Sequence, residues 1–214
     1  MISLFWGLWE YLFSKAEVHL LIIGLDYAGK TTLLEQLKGM FGKKAGIPLD
    51  KIPPTVGLNI AKVDISRTNV IFWDLGGQER LRAIWSKYYS ESHGIVFVVD
   101  STDAARLDEA KTALDTMLAN PELADAPLLV LANKKDLAAA KDTSDLTSRL
   151  GLDSIASTHT WTIRPVSALT TYVCLISLSR VSFDSSDGIS DAVLWFIQTV
   201  KNSDRFQAKQ VSKS

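Results

Sequence analysis

Short apolar runs rich in β-branched residues alternate along the chain with stretches in which apolar residues recur at helical spacing. The runs are predicted to form parallel strands buried on both faces, at 18–23, 70–73, 95–99, 128–132 and 160–166. The periodic stretches predict helices near residues 30–40, 81–90, 104–119, 144–150 and 188–201. This alternation is typical of a doubly wound α/β sheet, whose ligand site lies outside the carboxyl ends of the strands.

One further strand is predicted to pair in the opposite direction. Apolar and polar residues alternate over 58–66, as in a strand with one solvated face. A tight Ser-Arg-Thr-Asn turn at 66–69 then leads directly into the 70–73 run. We therefore expect an antiparallel hairpin at the edge of the sheet.

The composition is that of one soluble globular domain, with 214 residues of which 47% are hydrophobic and 22% charged. Lys and Arg number 23 against 24 Asp and Glu, so no global basic field points to nucleic acid as a partner. A single cysteine, Cys174, excludes intramolecular disulfides and multi-cysteine zinc or iron–sulfur sites. This composition is compatible with a reducing, cytoplasmic compartment.

The first 13 residues are apolar but do not form a recognisable targeting signal. The segment has no basic region or cleavage site and is far shorter than the ~20 residues that span a bilayer. Ile2 replaces the glycine that accepts myristate, and the chain has no C-terminal prenylation box. At helical pitch the segment carries one apolar stripe, formed by Leu4, Phe5, Leu8, Trp9, Leu12 and Phe13. Two interpretations remain open: a helix packed permanently on the domain, or one that leaves it to lie in a membrane surface.

A phosphate-binding motif follows the first predicted strand. Residues 24–31 read Gly-Leu-Asp-Tyr-Ala-Gly-Lys-Thr, which satisfies G-x-x-x-x-G-K-[ST] between a strand and a helix. The glycines allow backbone N–H groups to face phosphate oxygens, Lys30 adds a cation, and the Thr31 hydroxyl suits Mg²⁺. The motif alone indicates a nucleoside triphosphate and fits an ATPase or a small kinase equally well.

Guanine specificity is indicated further along the chain, again at strand ends. Asp136, in Asn-Lys-Lys-Asp at 133–136, can accept hydrogen bonds from guanine N1–H and the exocyclic amine, whereas adenine offers neither donor on that edge. Asn133 can address N7, and the stem of Lys134 can lie on the base. Ser-Ala-Leu at 167–169 can supply a backbone N–H to the guanine O6.

Two more polar elements lie between these motifs. Thr55 precedes the predicted hairpin and supplies a hydroxyl for a metal. Asp74 ends the 70–73 run and offers a carboxylate to Mg²⁺ through water. Gly77 offers an N–H to a γ-phosphate, and Gln78 is placed to orient an attacking water.

Together these motifs resemble those of Ras-like small GTPases. The forms Gly-Leu-Asp-x-Ala-Gly-Lys-Thr-Thr, Trp-Asp-Leu-Gly-Gly-Gln-Glu and Asn-Lys-x-Asp resemble the ADP-ribosylation factor (Arf) family over about 16–200. Within that family, the stretch 39–52, Thr-Val-Gly-Leu-Asn-Ile at 55–60 and the residue at position 2 look most like the Arf-related branch of the trans-Golgi.

The resemblance implies a P-loop small-GTPase fold: a mostly parallel six-stranded sheet with one antiparallel edge strand and helices on both faces. It implies Mg²⁺ as cofactor, GTP and GDP as ligands, Gln78 as the catalytic residue, and metal binding by Thr31, Thr55 and, through water, Asp74. The nucleotide-binding residues that it implies are Gly24, Asp26, Ala28, Gly29, Lys30, Thr31, Thr32, Thr55, Gly77, Asn133, Lys134, Asp136, Ser167, Ala168 and Leu169.

The resemblance also implies a switch that controls location. GTP would order the segments around Thr55 and Gly77 and release the N-terminal helix to a Golgi membrane or an integral membrane receptor. The expected protein is a monomer, cytoplasmic and peripheral to Golgi or trans-Golgi network membranes when GTP-bound, and it acts in vesicle trafficking. The expected partners are an exchange factor, an activating protein and effectors such as Golgi tethers.

Unaided hydrolysis should be slow, with any arginine finger supplied by the activating protein. Arg80 and Arg82 are interpreted as solvated residues of the switch helix. Part of an aromatic set is expected to form an effector surface, the set being Trp73, Trp85, Tyr88 and Tyr89.

One segment departs from the family pattern. Residues 171–186 separate Ser-Ala-Leu-Thr from the last predicted helix and contain the uncharged run Tyr-Val-Cys-Leu-Ile-Ser-Leu. Either this is a tolerated family-specific loop or it is translated intronic sequence. The expected organisation is an amphipathic helix at 1–15, a GTPase domain at 16–205 with this atypical insertion, and a polar tail at 206–214.

Three functions remain open from the residues. The first is a GTP-hydrolysing switch, the second is a nucleotide-locked binding module without useful turnover, and the third is a P-loop kinase of small substrates. The kinase gives no role to residues 133–136 or to Gln78.

Overall fold

A six-stranded sheet forms the centre of the fold. The computed structural model describes residues 16–42, 47–48, 51–169 and 188–211. The expected N-terminal helix and the insertion at 171–186 therefore lie outside the described residues.

The strands are β1 (Ala16–Ile23), β2 (Leu58–Ile65), β3 (Thr68–Leu75), β4 (Gly94–Asp100), β5 (Leu128–Asn133) and β6 (Trp161–Pro165). Their order across the sheet is β2-β3-β1-β4-β5-β6. β1 pairs in parallel with β3 and β4, and β4-β5-β6 continue in parallel, whereas β2 pairs antiparallel with β3. This confirms the predicted mostly parallel sheet with one antiparallel edge strand.

The helices are α1 (Lys30–Phe41), α2 (Glu79–Arg82), α3 (Leu107–Leu118), α4 (Thr143–Leu150), α5 (Gly188–Lys201) and α6 (Asp204–Val211). They cover two hydrophobic layers, one on each face of the sheet. Leu33 and Leu37 of α1 pack with Phe196 of α5 in one layer, and Leu114 of α3 packs with Phe97 in the other. Because both faces are covered, the central strands have no polar face, which is why they are continuous apolar runs.

The hairpin between β2 and β3 turns on two residues. Ile65 pairs with Thr68, and the intervening Ser66 and Arg67 have φ values of 47° and 62°. Two consecutive left-handed residues match a type I′ turn, whose twist suits adjacent antiparallel strands. The turn therefore joins β2 to β3 without an extra loop.

Two predicted segments differ from the structure. The helix expected at 81–90 is the four-residue α2 followed by a 3₁₀ turn, Trp85–Tyr88. Residues 206–211, expected as part of a polar tail, are helical in α6, and Phe206 is buried in the layer that contains α1 and α5. Phe206 and hydrogen bonds from Arg205 and Lys209 to backbone carbonyl oxygens hold this helix on the domain, and a composition average does not detect such contacts.

No helix among the described residues is long and apolar enough to cross a bilayer.

Candidate functional site

A cavity of about 460 Å³ opens at the edge of the sheet where the parallel strands end. The loops that follow β1, β3, β5 and β6 meet there, because the carboxyl ends of parallel strands lie on one edge. Thirteen predicted site residues line the cavity: Asp26, Gly29, Lys30, Thr31, Thr32, Thr55, Gly77, Gln78, Asn133, Lys134, Asp136, Ala168 and Leu169. Residues more than 100 positions apart in the chain are thus brought to one site.

Four predicted residues support the cavity without lining it: Gly24, Ala28, Asp74 and Ser167. Gly24 has φ 139°, and a Cβ there would lie 2.1 Å from the Val98 carbonyl oxygen. Only glycine permits this approach, so the loop between β1 and α1 can pass directly over β4.

Lys30, at the start of α1, is buried and donates a hydrogen bond from Nζ to the Leu25 carbonyl oxygen at 2.7 Å. Burial lowers its pKa from 10.5 to about 8, with Asp74 and Asp26 opposing the shift. A partly desolvated cation facing a loop of backbone N–H groups is suited to bind the phosphates of a nucleotide.

Three oxygen ligands converge beside Lys30. Thr31 Oγ1 lies 2.6 Å from Thr55 Oγ1 and donates to Asp74 Oδ2 at 2.8 Å, and Thr55 Oγ1 donates to the same oxygen at 3.3 Å. The other oxygen, Asp74 Oδ1, is buried and accepts no well-formed hydrogen bond among the described residues, although the Asn59 side chain interacts with this carboxyl group. Burial raises the pKa of this carboxyl group, opposed by the hydrogen bond from Thr31. Hydroxyl and carboxylate oxygens in this arrangement fit Mg²⁺, whose charge would compensate the buried carboxylate.

Asn133 joins three loops of the site. Its Nδ2 donates to the Ala28 carbonyl oxygen at 2.8 Å, and its Oδ1 accepts from the Ala168 N–H at 3.0 Å. The sequence interpretation assigned Asn133 to the base N7. The structure adds that its amide connects the phosphate-binding loop to the loops after β5 and β6.

Asp136 and Lys134 lie in the loop after β5, which is two strands away from β1 across the sheet. Asp136 Oδ1 accepts a hydrogen bond from Ser167 Oγ at 2.5 Å. Lys134 has φ 68°, and its Nζ pairs with Asp100 Oδ2 at 2.5 Å. These contacts hold the Asp136 carboxylate and the Lys134 stem at the cavity wall, and Ser167 acts through Asp136.

Gly77 and Gln78 connect β3 to α2 at the mouth of the cavity. A Cβ on Gly77 would lie 2.3 Å from the Gly24 carbonyl oxygen and 2.4 Å from the Asp26 nitrogen. Gln78 Oε1 accepts from Arg80 Nε at 3.1 Å. Gly77 therefore lies directly against the phosphate-binding loop, and Gln78 follows it at the cavity wall.

The interpretation of Arg82 as solvated is wrong. Its guanidinium pairs with Glu109 and donates from Nε to the Gly77 carbonyl oxygen at 3.0 Å. Arg82 lies 27 residues from Glu109, so only the tertiary fold brings this acceptor to it.

The expected aromatic surface is mostly interior. Trp73, Trp85 and Tyr89 are buried, and Tyr88 is half-buried. Trp85 also donates from Nε1 to the Gly76 carbonyl oxygen at 3.0 Å. Trp85 therefore packs against the segment that carries Gly77.

Five further residues line the cavity that were not assigned from the sequence: Tyr27, Ile52, Pro53, Pro54 and Leu137. Tyr27, Pro54 and Leu137 each adjoin a predicted site residue in the sequence, which is the signal that identifies them. Ile52 carries no such signal, because it enters the site only through the path of the loop before β2.

Comparisons with known proteins agree with this geometry. The sequence model of the ADP-ribosylation factor family matches residues 5–184. The chain is 48% identical to human ADP-ribosylation factor-related protein 1 over 159 residues, which is 71% of this chain and 79% of that protein. It is 39% identical to ADP-ribosylation factor-like protein 3 of Saccharomyces cerevisiae over 199 residues, which is 92% of each.

A solved structure has the same fold. The Arl6 BBS3 small GTPase from Trypanosoma brucei, with bound nucleotide analogue GppNp, matches with a TM-score of 0.73 and 26% identity. The match covers 88% of this chain and 100% of that one. The predicted P-loop small-GTPase fold is confirmed.

Proposed function

The chain belongs to the ADP-ribosylation factor family of small GTPases, and we propose that it recruits effectors to Golgi membranes in vesicle trafficking. Members of this family bind guanine nucleotides, hydrolyse GTP and switch between two states. Exchange factors, activating proteins and effectors act on them in general.

One observation carries the residue assignment: the groups suited to phosphates and those suited to guanine open into the same 460 Å³ cavity. Lys30 and the loop at 24–31 follow β1, whereas Asp136, Ala168 and Leu169 follow β5 and β6 further across the sheet. A nucleotide bound in this orientation places its base on Asp136 and its terminal phosphate beside Gly77.

The phosphates are proposed to be held by backbone N–H groups of the loop and by the Lys30 ammonium. Thr32, in the first turn of α1, is proposed to contribute its own backbone N–H to the phosphates. Thr31, Thr55 and Asp74 would hold Mg²⁺, with Asp74 acting through water, and the ion would neutralise charge on the phosphate oxygens. The buried Asp74 Oδ1 supports this assignment.

Gln78 is proposed to orient the attacking water, since it follows Gly77 at the phosphate end of the cavity. Gly77 N–H would bind the γ-phosphate. Among the described arginines near this end of the cavity, Arg82 is paired with Glu109 and Arg106 with Asp26. The exposed Arg80 donates to Gln78 Oε1. An arginine from the activating protein fits this arrangement.

Gln78→Leu is expected to lower the intrinsic rate of single-turnover GTP hydrolysis roughly tenfold to a hundredfold, because leucine cannot orient water. GDP affinity should remain within about twofold, since Gln78 contacts no part of GDP in the proposed orientation. The exposed Gln198→Leu in α5 is the matched control. The purified wild-type protein should also carry guanine nucleotide.

If Gln78→Leu hydrolysed GTP at the wild-type rate, Gln78 would have no catalytic role. Equal slow rates in wild type and variant, with and without an activating protein, would instead favour a nucleotide-locked binding module. Tight ATP binding with no preference for GDP would favour a kinase.

Nucleotide state is proposed to control membrane attachment through the apolar stripe of residues 1–13. The assignment to Golgi or trans-Golgi network membranes, to an integral membrane receptor and to tethering effectors follows from the sequence resemblance. The GTPase domain is proposed to span 16–205, with the amphipathic helix before it.

Leu8→Asp is expected to lower GTP-dependent recovery on Golgi-enriched membranes about tenfold, because burial of one leucine contributes roughly 1.5–3 kcal/mol. Protein loaded with a non-hydrolysable GTP analogue should sediment with the membranes more than GDP-loaded protein. Ser3→Asp, opposite the predicted stripe, is the matched control. Equal recovery with both nucleotides would contradict control of location by the switch.

A further inference from the structure

Four charged side chains of alternating sign connect three elements beside the proposed phosphate site. They are Asp26 in the phosphate-binding loop, Arg106 just before α3, Glu109 in α3 and Arg82 in α2, and together they are called the charged bridge. Arg106 Nη2 donates to Asp26 Oδ1 at 2.6 Å, and its Nε donates to Glu109 Oε2 at 2.8 Å. Arg82 Nη2 donates to the other Glu109 oxygen, Oε1.

The charged bridge ends on the backbone of the catalytic segment. Arg82 Nε donates to the Gly77 carbonyl oxygen at 3.0 Å. That carbonyl belongs to the peptide that joins Gly77 to Gln78. Its direction therefore fixes the orientation of this peptide and the position of the Gln78 backbone. The same Gly77 lies against Gly24 and Asp26 so closely that a Cβ has no room. The loop and the catalytic segment are thus joined directly at Gly77 and indirectly through the bridge.

Glu109 is the shared acceptor of both arginines. The hydrogen bonds from Arg106 and then Arg82 lower its pKa from 4.5 to about 2. Glu109 therefore remains ionised from mildly acidic to basic pH. Without this carboxylate, the Arg82 guanidinium would have no anionic partner among the described contacts. Water would then compete with the Gly77 carbonyl oxygen for the Arg82 N–H groups.

We propose that Glu109 is a positioning residue for GTP hydrolysis, which holds Arg82 on the Gly77 carbonyl and so keeps Gln78 against the phosphate-binding loop. This inference rests on the proposed role of Gln78. Glu109 does not line the nucleotide cavity and acts only through Arg82.

A positioning role and a stabilising role have different consequences. The side chains of the bridge are 17–38% exposed, and ion pairs at such exposure add little to the free energy of unfolding. Misplacement of a catalytic group by about 1 Å can nevertheless slow a reaction strongly. The expected effect is therefore on the hydrolysis rate and not on the melting temperature.

The test uses Glu109→Gln in the full chain, which removes the charge and retains the shape of the side chain. Single-turnover GTP hydrolysis should fall about tenfold, while GDP affinity stays within about twofold and the melting temperature is nearly unchanged. Asp115→Asn is the matched control, since it removes a carboxylate of α3 that pairs with Lys111 at 2.7 Å away from the nucleotide cavity. It should hydrolyse GTP at the wild-type rate.

A double-mutant cycle with Arg82→Gln tests the route of the effect. If Glu109 acts through Arg82, the double variant should be no slower than the slower single variant. A wild-type rate in Glu109→Gln, additive losses in the double variant, or a parallel fall in GDP affinity would each overturn the inference.

Gln78→Leu, assayed beside these variants, separates this inference from the proposed function. If Gln78→Leu is slowed and Glu109→Gln is not, only the positioning role fails. If Gln78→Leu is not slowed, the proposed catalytic site itself fails.

Discussion

Asp136→Asn is expected to weaken binding of GTP and GDP on the order of 1,000-fold. In the proposed orientation the carboxylate accepts two hydrogen bonds from the guanine edge, and each charge-assisted bond is worth roughly 1.5–3 kcal/mol. An asparagine amide offers one acceptor and places N–H donors against the guanine amine. The loss is measured by competition with a fluorescent guanine nucleotide.

The same substitution should raise the affinity for xanthosine nucleotides. Xanthine carries an oxygen in place of the guanine amine, and an amide can donate to that oxygen while it accepts from N1–H. Asp125→Asn is the matched control, because Asp125 is exposed before β5 and has φ 61°, which asparagine tolerates. Unchanged GTP affinity in Asp136→Asn would show that the base does not bind at Asp136.

Gly77→Ala is expected to slow GTP hydrolysis on the order of 1,000-fold. The new methyl group would lie 2.3–2.4 Å from backbone atoms of Gly24, Leu25 and Asp26. The loop at 24–31 is held between β1 and α1, so we expect the segment that carries Gly77 to move instead. That movement withdraws both the Gly77 N–H from the γ-phosphate and Gln78 from the water, and loss of one such donor alone costs about 100-fold or more.

GDP affinity should change little in Gly77→Ala, since GDP lacks the γ-phosphate that the N–H would bind. The matched control is Gly151→Ala at the end of α4, where φ is +68°. Alanine there should cost about 1–2 kcal/mol of stability through backbone strain and leave hydrolysis unchanged. An equal loss of GDP affinity in Gly77→Ala would indicate that the phosphate-binding loop had moved.

All six strands were predicted to within two residues at both ends, the parallel ones from short apolar runs rich in β-branched and aromatic residues and β2 from its alternation of apolar and polar residues. The site residues could be predicted from the sequence for a related reason. The loop at 24–31 and the segment at 133–136 are each contiguous in the sequence and each follows a strand, so fold class alone places them on one edge.

Local periodicity was less informative for short helices. The apolar residues at 81–90 share helical spacing. In the structure, however, Trp85 is buried and donates to the Gly76 carbonyl oxygen, and residues 85–88 form a 3₁₀ turn instead of continuing α2. In α6, Phe206 is buried against the domain although its neighbours are polar. In both cases tertiary contacts outweigh the local pattern.

The sequence by itself determined the succession of strands and helices along the chain. It also determined the phosphate-binding loop and the identity of the groups suited to guanine. These features depend on residues close together in the chain, where spacing carries the information. Only the tertiary structure decided that Arg82 is paired, that Asn133 connects three loops and that the charged bridge joins Asp26 to Gly77. Asp26 and Arg106 are 80 residues apart, and contacts at such separation depend on how helices pack across the sheet, which no local pattern in the sequence encodes.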